Sequence, residues 1–227
     1  MSVLESFVGW LAPPDCLNCG AEGLALCGLC AASVIVPFGE RCWRCNKLSL
    51  GSRTCIACQH AGGPRSVWIS TNYENLTQQL IRRYKFGHLR AASIPLAQTM
   101  SGTFHELNPA SLNYLVVPVP TATSRIRERG FGHSELLAKT VAAKLRFEYS
   151  NNLRRLDQTR QLGSRREDRL AQLANSFAVK NRRKIAGRSI LLIDDVLTTG
   201  GTIIAATKAL KSAGAGQVDA LLFAKRL

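Results

Sequence analysis

Thirteen residues near the C-terminus, Ile190–Thr202, read I-L-L-I-D-D-V-L-T-T-G-G-T. A buried apolar run ends at two consecutive carboxylates, Asp194 and Asp195, and a loop of hydroxyls and glycines then opens a helical pattern. The loop Thr198-Thr199-Gly200-Gly201-Thr202 can turn several backbone N–H groups and three hydroxyls toward one point. Together with the helix N-terminus behind it, this forms a phosphate cradle. The two glycines let the backbone close around an anion with no Cβ in the way. Two carboxylates above a phosphate would repel it, so Asp194 and Asp195 make sense as acceptors for a sugar diol whose phosphate sits in the loop. No lysine lies within the loop, which excludes a nucleoside-triphosphatase P-loop, and the G-x-G-x-x-G spacing of dinucleotide folds is also missing. A strand end with capping acids and a tight turn is the bland alternative; it does not account for the length and order of the pattern.

The second constellation is cysteine. All eight fall in four C-x-x-C pairs: Cys16/Cys19, Cys27/Cys30, Cys42/Cys45 and Cys55/Cys58. Two thiolates separated by two residues can share one metal at a tight turn, and two such knuckles complete the tetrahedral shell that zinc prefers. Four knuckles imply two zinc ions. The spacing does not fix which knuckles share a metal; a consecutive arrangement is preferred here to an interleaved one. A disulfide framework would suit a secreted chain, but Met1–Leu11 contains Glu5 and lacks a basic leader, so a reduced, cytoplasmic protein is expected. A redox C-x-x-C would be single and would follow a strand. His60 follows Cys58 by two residues but is superfluous to two complete four-cysteine shells and reads as a surface residue. So small a module lacks the aliphatic content for a core, so the metal supplies its folding free energy and is structural.

Charge divides the chain in the same place. The 227 residues carry 30 Lys+Arg against 15 Asp+Glu, a formal net charge of +15. Residues 1–60 are neutral, with four residues of each sign, whereas 61–227 hold 26 basic and 11 acidic residues. The breaker Gly62-Gly63-Pro64 marks the junction. We therefore expect a double zinc-ribbon module over 1–62 and a second domain over 63–227. The surplus points to polyanionic partners such as nucleic acid or a phosphorylated small molecule. Residues 121–190 alone hold 17 basic and 6 acidic residues, a net +11, enough to support contact with a nucleic-acid backbone. Aromatic residues at 7% offer no base-stacking platform. No stretch reaches the roughly 18 apolar residues that span a membrane.

The elements that must position these residues alternate between strands and helices from Trp68 onward, the pattern of an α/β fold. Tyr114–Val119 and Ser189–Ile193 read as buried strands of the parallel type, as does Val218–Phe223. Ser134–Phe147 and Thr202–Ala213 read as helices, the latter closing a right-handed strand–helix–strand unit.

The Ile190–Thr202 segment resembles the 5-phosphoribosyl-1-pyrophosphate (PRPP) motif of type I phosphoribosyltransferases. With the four knuckles, Y-K-F-G at Tyr84–Gly87, V-P-V-P at Val117–Pro120 and R-x-R-x-R-G-F at Arg125–Phe131, the whole chain is similar to the ComF/GntX family. That resemblance implies a type I phosphoribosyltransferase fold behind a double zinc ribbon, and a link to natural competence and DNA uptake. It implies that Thr198, Thr199, Gly200, Gly201 and Thr202 hold the 5′-phosphate and that Asp194 and Asp195 hold the ribose hydroxyls. Mg²⁺ would accompany the pyrophosphate. Departure of pyrophosphate needs positive charge, which Arg125, Arg127 and Arg129 offer. A second cluster, Arg154, Arg155, Arg160, Arg165, Arg166 and Arg169 around Gly163-Ser164, corresponds to the mobile loop of the fold. Lys85 is a candidate phosphate or base contact. Implied partners are PRPP, a nucleobase acceptor, single-stranded DNA, competence-machinery proteins and a second copy of the chain. The alternative to an enzyme is a non-catalytic PRPP sensor that handles DNA. Where the family continues R-G-F with Asn-Gln-Ser-Glu, this chain has Gly132-His133-Ser134-Glu135. His133 reads as a solvated first-turn residue in preference to a substitute ligand contact.

Overall fold

The computed structural model describes residues 13–59, 62–87, 89–108, 112–156 and 176–226. The N-terminal part has little regular structure: helix α1 (Gly28–Val34) and the single turn α2 (Ile56–Gln59) sit among knuckles and bends. Beyond it run β1 (Val67–Asn72), α3 (Asn75–Phe86), α4 (Ser93–Leu107), β2 (Tyr114–Pro118), α5 (Thr123–Arg129), α6 (His133–Leu145) and β3 (Glu148–Tyr149). A small antiparallel pair, β4 (Leu153–Arg155) and β5 (Phe177–Val179), precedes β6 (Ser189–Leu197), α7 (Gly201–Ser212) and β7 (Gln217–Lys225).

The five-stranded sheet has the order β1-β7-β6-β2-β3, and every pairing is parallel. Side chains alternate between the faces of a strand, and here both faces are covered. Leu191, Ile193, Leu221 and Phe223 point into one core with Leu96, Met100 and Leu137 of α4 and α6. Ile190, Leu192, Ala220 and Leu222 point into the other with Ile203, Ala206 and Leu210 of α7. Burial on both faces is why these strands are unbroken apolar runs. The expected elements all form, with ends displaced by one or two residues in most cases. The exception is β6, which the apolar run places at Ser189–Ile193. It continues to Leu197, so Asp194 and Asp195 lie within the strand, and both carboxylates reach the start of α6, at Ser134 and His133.

The cysteine-rich part joins the sheet through isolated bridges, Pro37 to Thr71 and Arg53 to Ser66. Beside Ser66, Asp219 of β7 is wholly buried. It accepts hydrogen bonds from Ser66 N (2.9 Å), Tyr114 OH (2.7 Å), Gln217 Nε2 and the guanidinium of Arg65 (3.3 Å to Nε). A buried carboxylate is tolerated only with such partners. No helix among the described residues is long and apolar enough to cross a membrane. Asp219→Ala should leave Tyr114 OH and Ser66 N–H buried without an acceptor, costing on the order of 3 kcal/mol. Urea denaturation should show a lowered midpoint with an unchanged slope.

Candidate functional site

In parallel sheets, ligands bind beyond the carboxyl ends of the strands. A cavity of about 880 Å³ lies at that end, lined by Asp194, Asp195, Thr198 and Thr202 from the β6–α7 connection. Val119 to Ala122, Ser124 and Arg125 line it from the segment after β2, and Lys85, His133 and Ser134 from helices α3 and α6. Thr198 and Thr199 are exposed, whereas Gly200 is buried and caps α7 with φ 79°. That left-handed conformation suits glycine.

Asp195 is 2% exposed and must be paired to stay ionised. Lys85 Nζ donates to its Oδ1 at 2.7 Å. His133 Nε2 lies 3.0 Å from Oδ2, close but poorly aligned. Oδ2 is buried and makes no aligned hydrogen bond among the described residues, its near donor being that imidazole nitrogen. Arg129 Nη1 approaches His133 Nδ1 at 3.0 Å. An arginine can only donate, so Nδ1 accepts and the imidazole proton sits on Nε2, facing Asp195. Burial works against the charge on Asp195, but Lys85 and His133 overcome it and hold the carboxyl well below the usual range. Asp194 behaves oppositely. Burial, and then repulsion from Asp195, push it up to about 7, while Ser134 Oγ donates to its Oδ1 at 3.1 Å. Two adjacent carboxyls thus differ in charge near neutrality.

The motifs explain one another. In Y-K-F-G, three successive side chains at the end of α3 all engage the site. Tyr84 OH donates to the carbonyl of His133 at 2.6 Å, Lys85 reaches Asp195, and the Phe86 ring lies 4.5 Å under the Arg129 guanidinium. In R-G-F, Gly130 ends α5 with φ 73° and Phe131 packs edge-on against Tyr84 at 5.7 Å. His133 is therefore buried and lines the cavity; it is not the solvated residue expected. Its first-turn position is polar in most helices, but here Tyr84, Arg129 and Asp195 converge on it.

The three arginines of that motif separate. Arg125 lines the cavity. Arg127 is exposed outside it, and Arg129 is buried behind His133, where it orients the imidazole. Of the second cluster, Arg155 lines the cavity with its guanidinium 5.6 Å over Phe177, and Arg154 is exposed. Arg160, Arg165, Arg166, Arg169 and Gly163-Ser164 lie outside the described residues, as does His60. Tyr73 and Arg226 also line the cavity and escaped the sequence reading. They directly follow β1 and β7, and position after a parallel strand was the available signal.

The cysteines gather consecutively. Cys16, Cys19, Cys27 and Cys30 form one group and Cys42, Cys45, Cys55 and Cys58 the other, with all sulfurs of a group within 4.8 Å of one another. Cys19 and Cys27 Sγ are 3.8 Å apart, and Cys45 and Cys55 Sγ 3.6 Å. A tetrahedral zinc with Zn–S bonds of about 2.3 Å separates its sulfurs by about 3.8 Å, so both groups fit. Burial opposes ionisation of Cys16 and Cys42, yet backbone N–H donors bring both down to about 6. Crowding by Cys55, with burial, pushes Cys58 up to about 12. A dication is what lets all four thiolates coexist.

Residues 129–227 match the phosphoribosyl transferase domain family. Fold and site thus define a phosphoribosyltransferase-type α/β domain, and two four-cysteine clusters precede it. Competence protein ComFC of Streptococcus pneumoniae (strain ATCC BAA-255 / R6) is 29% identical over 196 residues, 85% of this chain and 84% of that protein. The chain is thus similar to that protein over most of its length and carries a phosphoribosyl transferase domain behind two four-cysteine clusters. Among solved structures, the allosteric regulatory enzyme of purine biosynthesis aligns over 63% of this chain with a TM-score of 0.45 and 14% identity. Glutamine PRPP amidotransferase from B. subtilis aligns over 62%, with a TM-score of 0.42 and 16% identity. The chain spans 30% of the length of each.

Two measurements follow from this geometry. The raised value of Asp194 means that the folded protein keeps this proton up to about 7, whereas an unfolded chain releases it near about 4. Its stabilising contribution is full below about 4 and lost as pH rises to about 7. Asp195, held low, contributes above the usual carboxylate range and loses that contribution on acidification. Asp194→Asn should therefore remove a fall in thermal midpoint between about pH 4 and 7, raising the midpoint at about pH 8 by on the order of 2–4 °C. For the thiolates, protein purified under reducing conditions should carry about two zinc equivalents by elemental analysis, and Cys58→Ser about one.

Proposed function

We propose that this chain binds PRPP and, with Mg²⁺, transfers its phosphoribosyl group with release of pyrophosphate, serving DNA uptake and transformation from the cytoplasm. One observation carries the reading: a buried, ionised carboxylate oxygen with no hydrogen-bond partner among the described residues, Asp195 Oδ2, lies with Thr198 and Thr202 on one cavity. A sugar hydroxyl is a neutral donor that satisfies such an oxygen without adding charge. The hydroxyls of Thr198 and Thr202 and the amides at the start of α7 suit the 5′-phosphate. Arg125, Arg155 and Arg226 line the same cavity and offer fixed positive charge, whose attraction for pyrophosphate grows as negative charge develops on it.

His133, Asp194 and Asp195 bring ligand atoms within 4.8 Å of one another. The two carboxylates suit an oxygen-preferring cation, although Lys85 already occupies Asp195 Oδ1. Asp194 and Asp195 would hold Mg²⁺, which would supply neutralisation of the leaving group's charge. Asp195 orients the diol, Lys85 and His133 keep it ionised, and Asp194 is poised near about 7 to take or return a proton.

The second reading, a PRPP-responsive DNA-handling factor without catalysis, is favoured by Arg127 and Arg154, exposed outside the cavity within a chain of net charge +15. The name of the pneumococcal relative, with 29% identity, suggests competence in either case. Calorimetric titration with PRPP and Mg²⁺ should show binding that Asp195→Asn weakens roughly 10- to 100-fold. Absence of PRPP binding would overturn the proposal. Binding without pyrophosphate release, across the common nucleobases, would select the second reading.

A further inference from the structure

The loop that carries the two glycines is backed by a residue of the cysteine-rich module. Trp43 lies between Cys42 and Cys45 in the third knuckle, 3% exposed, and its six-membered ring presses against Gly200. A Cβ placed on Gly200 would stand 2.2 Å from Trp43 Cζ3 and 2.9 Å from Cη2, and a Cβ on Gly63 would stand 2.9 Å from Cζ2. The indole is thus wedged between two glycines, one at the junction of the chain and one in the anion loop. Its Nε1–H donates to Thr54 Oγ1 at 2.9 Å, and that hydroxyl donates to the carbonyl of Pro64 at 2.6 Å. Plane, edge and polar atom of the ring are all held.

A second tie runs beside it. Lys225, the last residue of β7, donates to Asn46 Oδ1 at 3.2 Å and sits 5.0 Å over the Phe38 ring. Its neighbour Arg226 lines the cavity and donates its backbone N–H to Leu197 at 2.9 Å. The first cluster makes no comparable approach: Leu26 and Cys30 pack into the core on the opposite face, with α4.

We propose that Trp43 is a positioning residue for the Thr198–Thr202 loop, through which the second four-cysteine cluster is built into the anion site. Trp43 is not among the cavity's lining residues, so it acts on a ligand only through the loop. Knuckle geometry fixes the indole, the indole fixes Gly200, and Gly200 sets where the first amides of α7 point. The effect on ligand affinity rests on the reading of that loop as the phosphate holder; the effect on loop order does not.

Trp43→Ala in the full chain, with Trp43→Phe as the milder variant, tests this by three readouts: zinc content, backbone hydrogen exchange and titration with PRPP and Mg²⁺. Trp43→Ala should keep two zinc ions, speed exchange across residues 198–203 while leaving 114–118 unchanged, and weaken PRPP on the order of tenfold. Trp43→Phe, which keeps an aromatic face, should fall between. Unchanged exchange in the loop would overturn the proposal, as would loss of zinc from Trp43→Ala, because the ring would then serve metal retention. If the unmutated protein does not bind PRPP, the function proposed above fails, and the exchange comparison alone decides on Trp43.

Discussion

A carboxylate buried inside a protein must be surrounded before it can be used. Asp195 sits at the carboxyl end of the central strand, 2% exposed, and the local architecture is organised by its need for partners. Lys85 must arrive from the end of α3, and His133 from the start of α6. Arg129 must hold the imidazole so that its proton faces the carboxylate, and Phe86 must support Arg129. Three motifs distant in sequence are thus the parts of one ionised group. Oδ2 itself makes no aligned hydrogen bond among the described residues, so the charge rests on Lys85 and on the nearby imidazole.

Much of this was legible from sequence, for physical reasons that differ by element. The strands of a parallel sheet are apolar on both faces, so Tyr114–Pro118 and the start of β6 stand out as continuous runs. The turn into α7 was legible because paired glycines after a buried run mark a tight turn at the start of a helix. The cysteine pairs declared themselves by spacing alone. The end of β6 was not legible: two aspartates look like the stop of a strand until Lys85 and Ser134 are seen to satisfy them. His133 misled for the same reason, because a polar residue in a helix's first turn is normally wet. Partners 49 to 110 residues away in the chain, Tyr84 for His133 and Lys85 for Asp195, leave no local mark. Arginine spacing in R-x-R-x-R likewise says nothing about which side chain a seven-residue helix turns inward.

The uneven charge acquires a structural meaning. A neutral, cysteine-rich module covers parts of both faces of a sheet that belongs to the basic part of the chain. The module contributes packing, not charge. Leu26 and Cys30 extend one core, while Phe38 and Trp43 extend the other. A small sheet gains from such covering, since apolar strands are stable only when both faces are shielded from water.

The position of Trp43 has an optical side. The chain has three tryptophans, Trp10, Trp43 and Trp68. Trp68 is fully buried against Phe104 and Tyr114, in the core on the other face of the sheet from Trp43. Trp43 instead has its ring face on Gly200. Indole emission responds to the packing and polarity against that face, so the protein carries an intrinsic fluorophore on the rear wall of its anion site. A change in how that loop packs would reach the indole of the unmodified chain without any label.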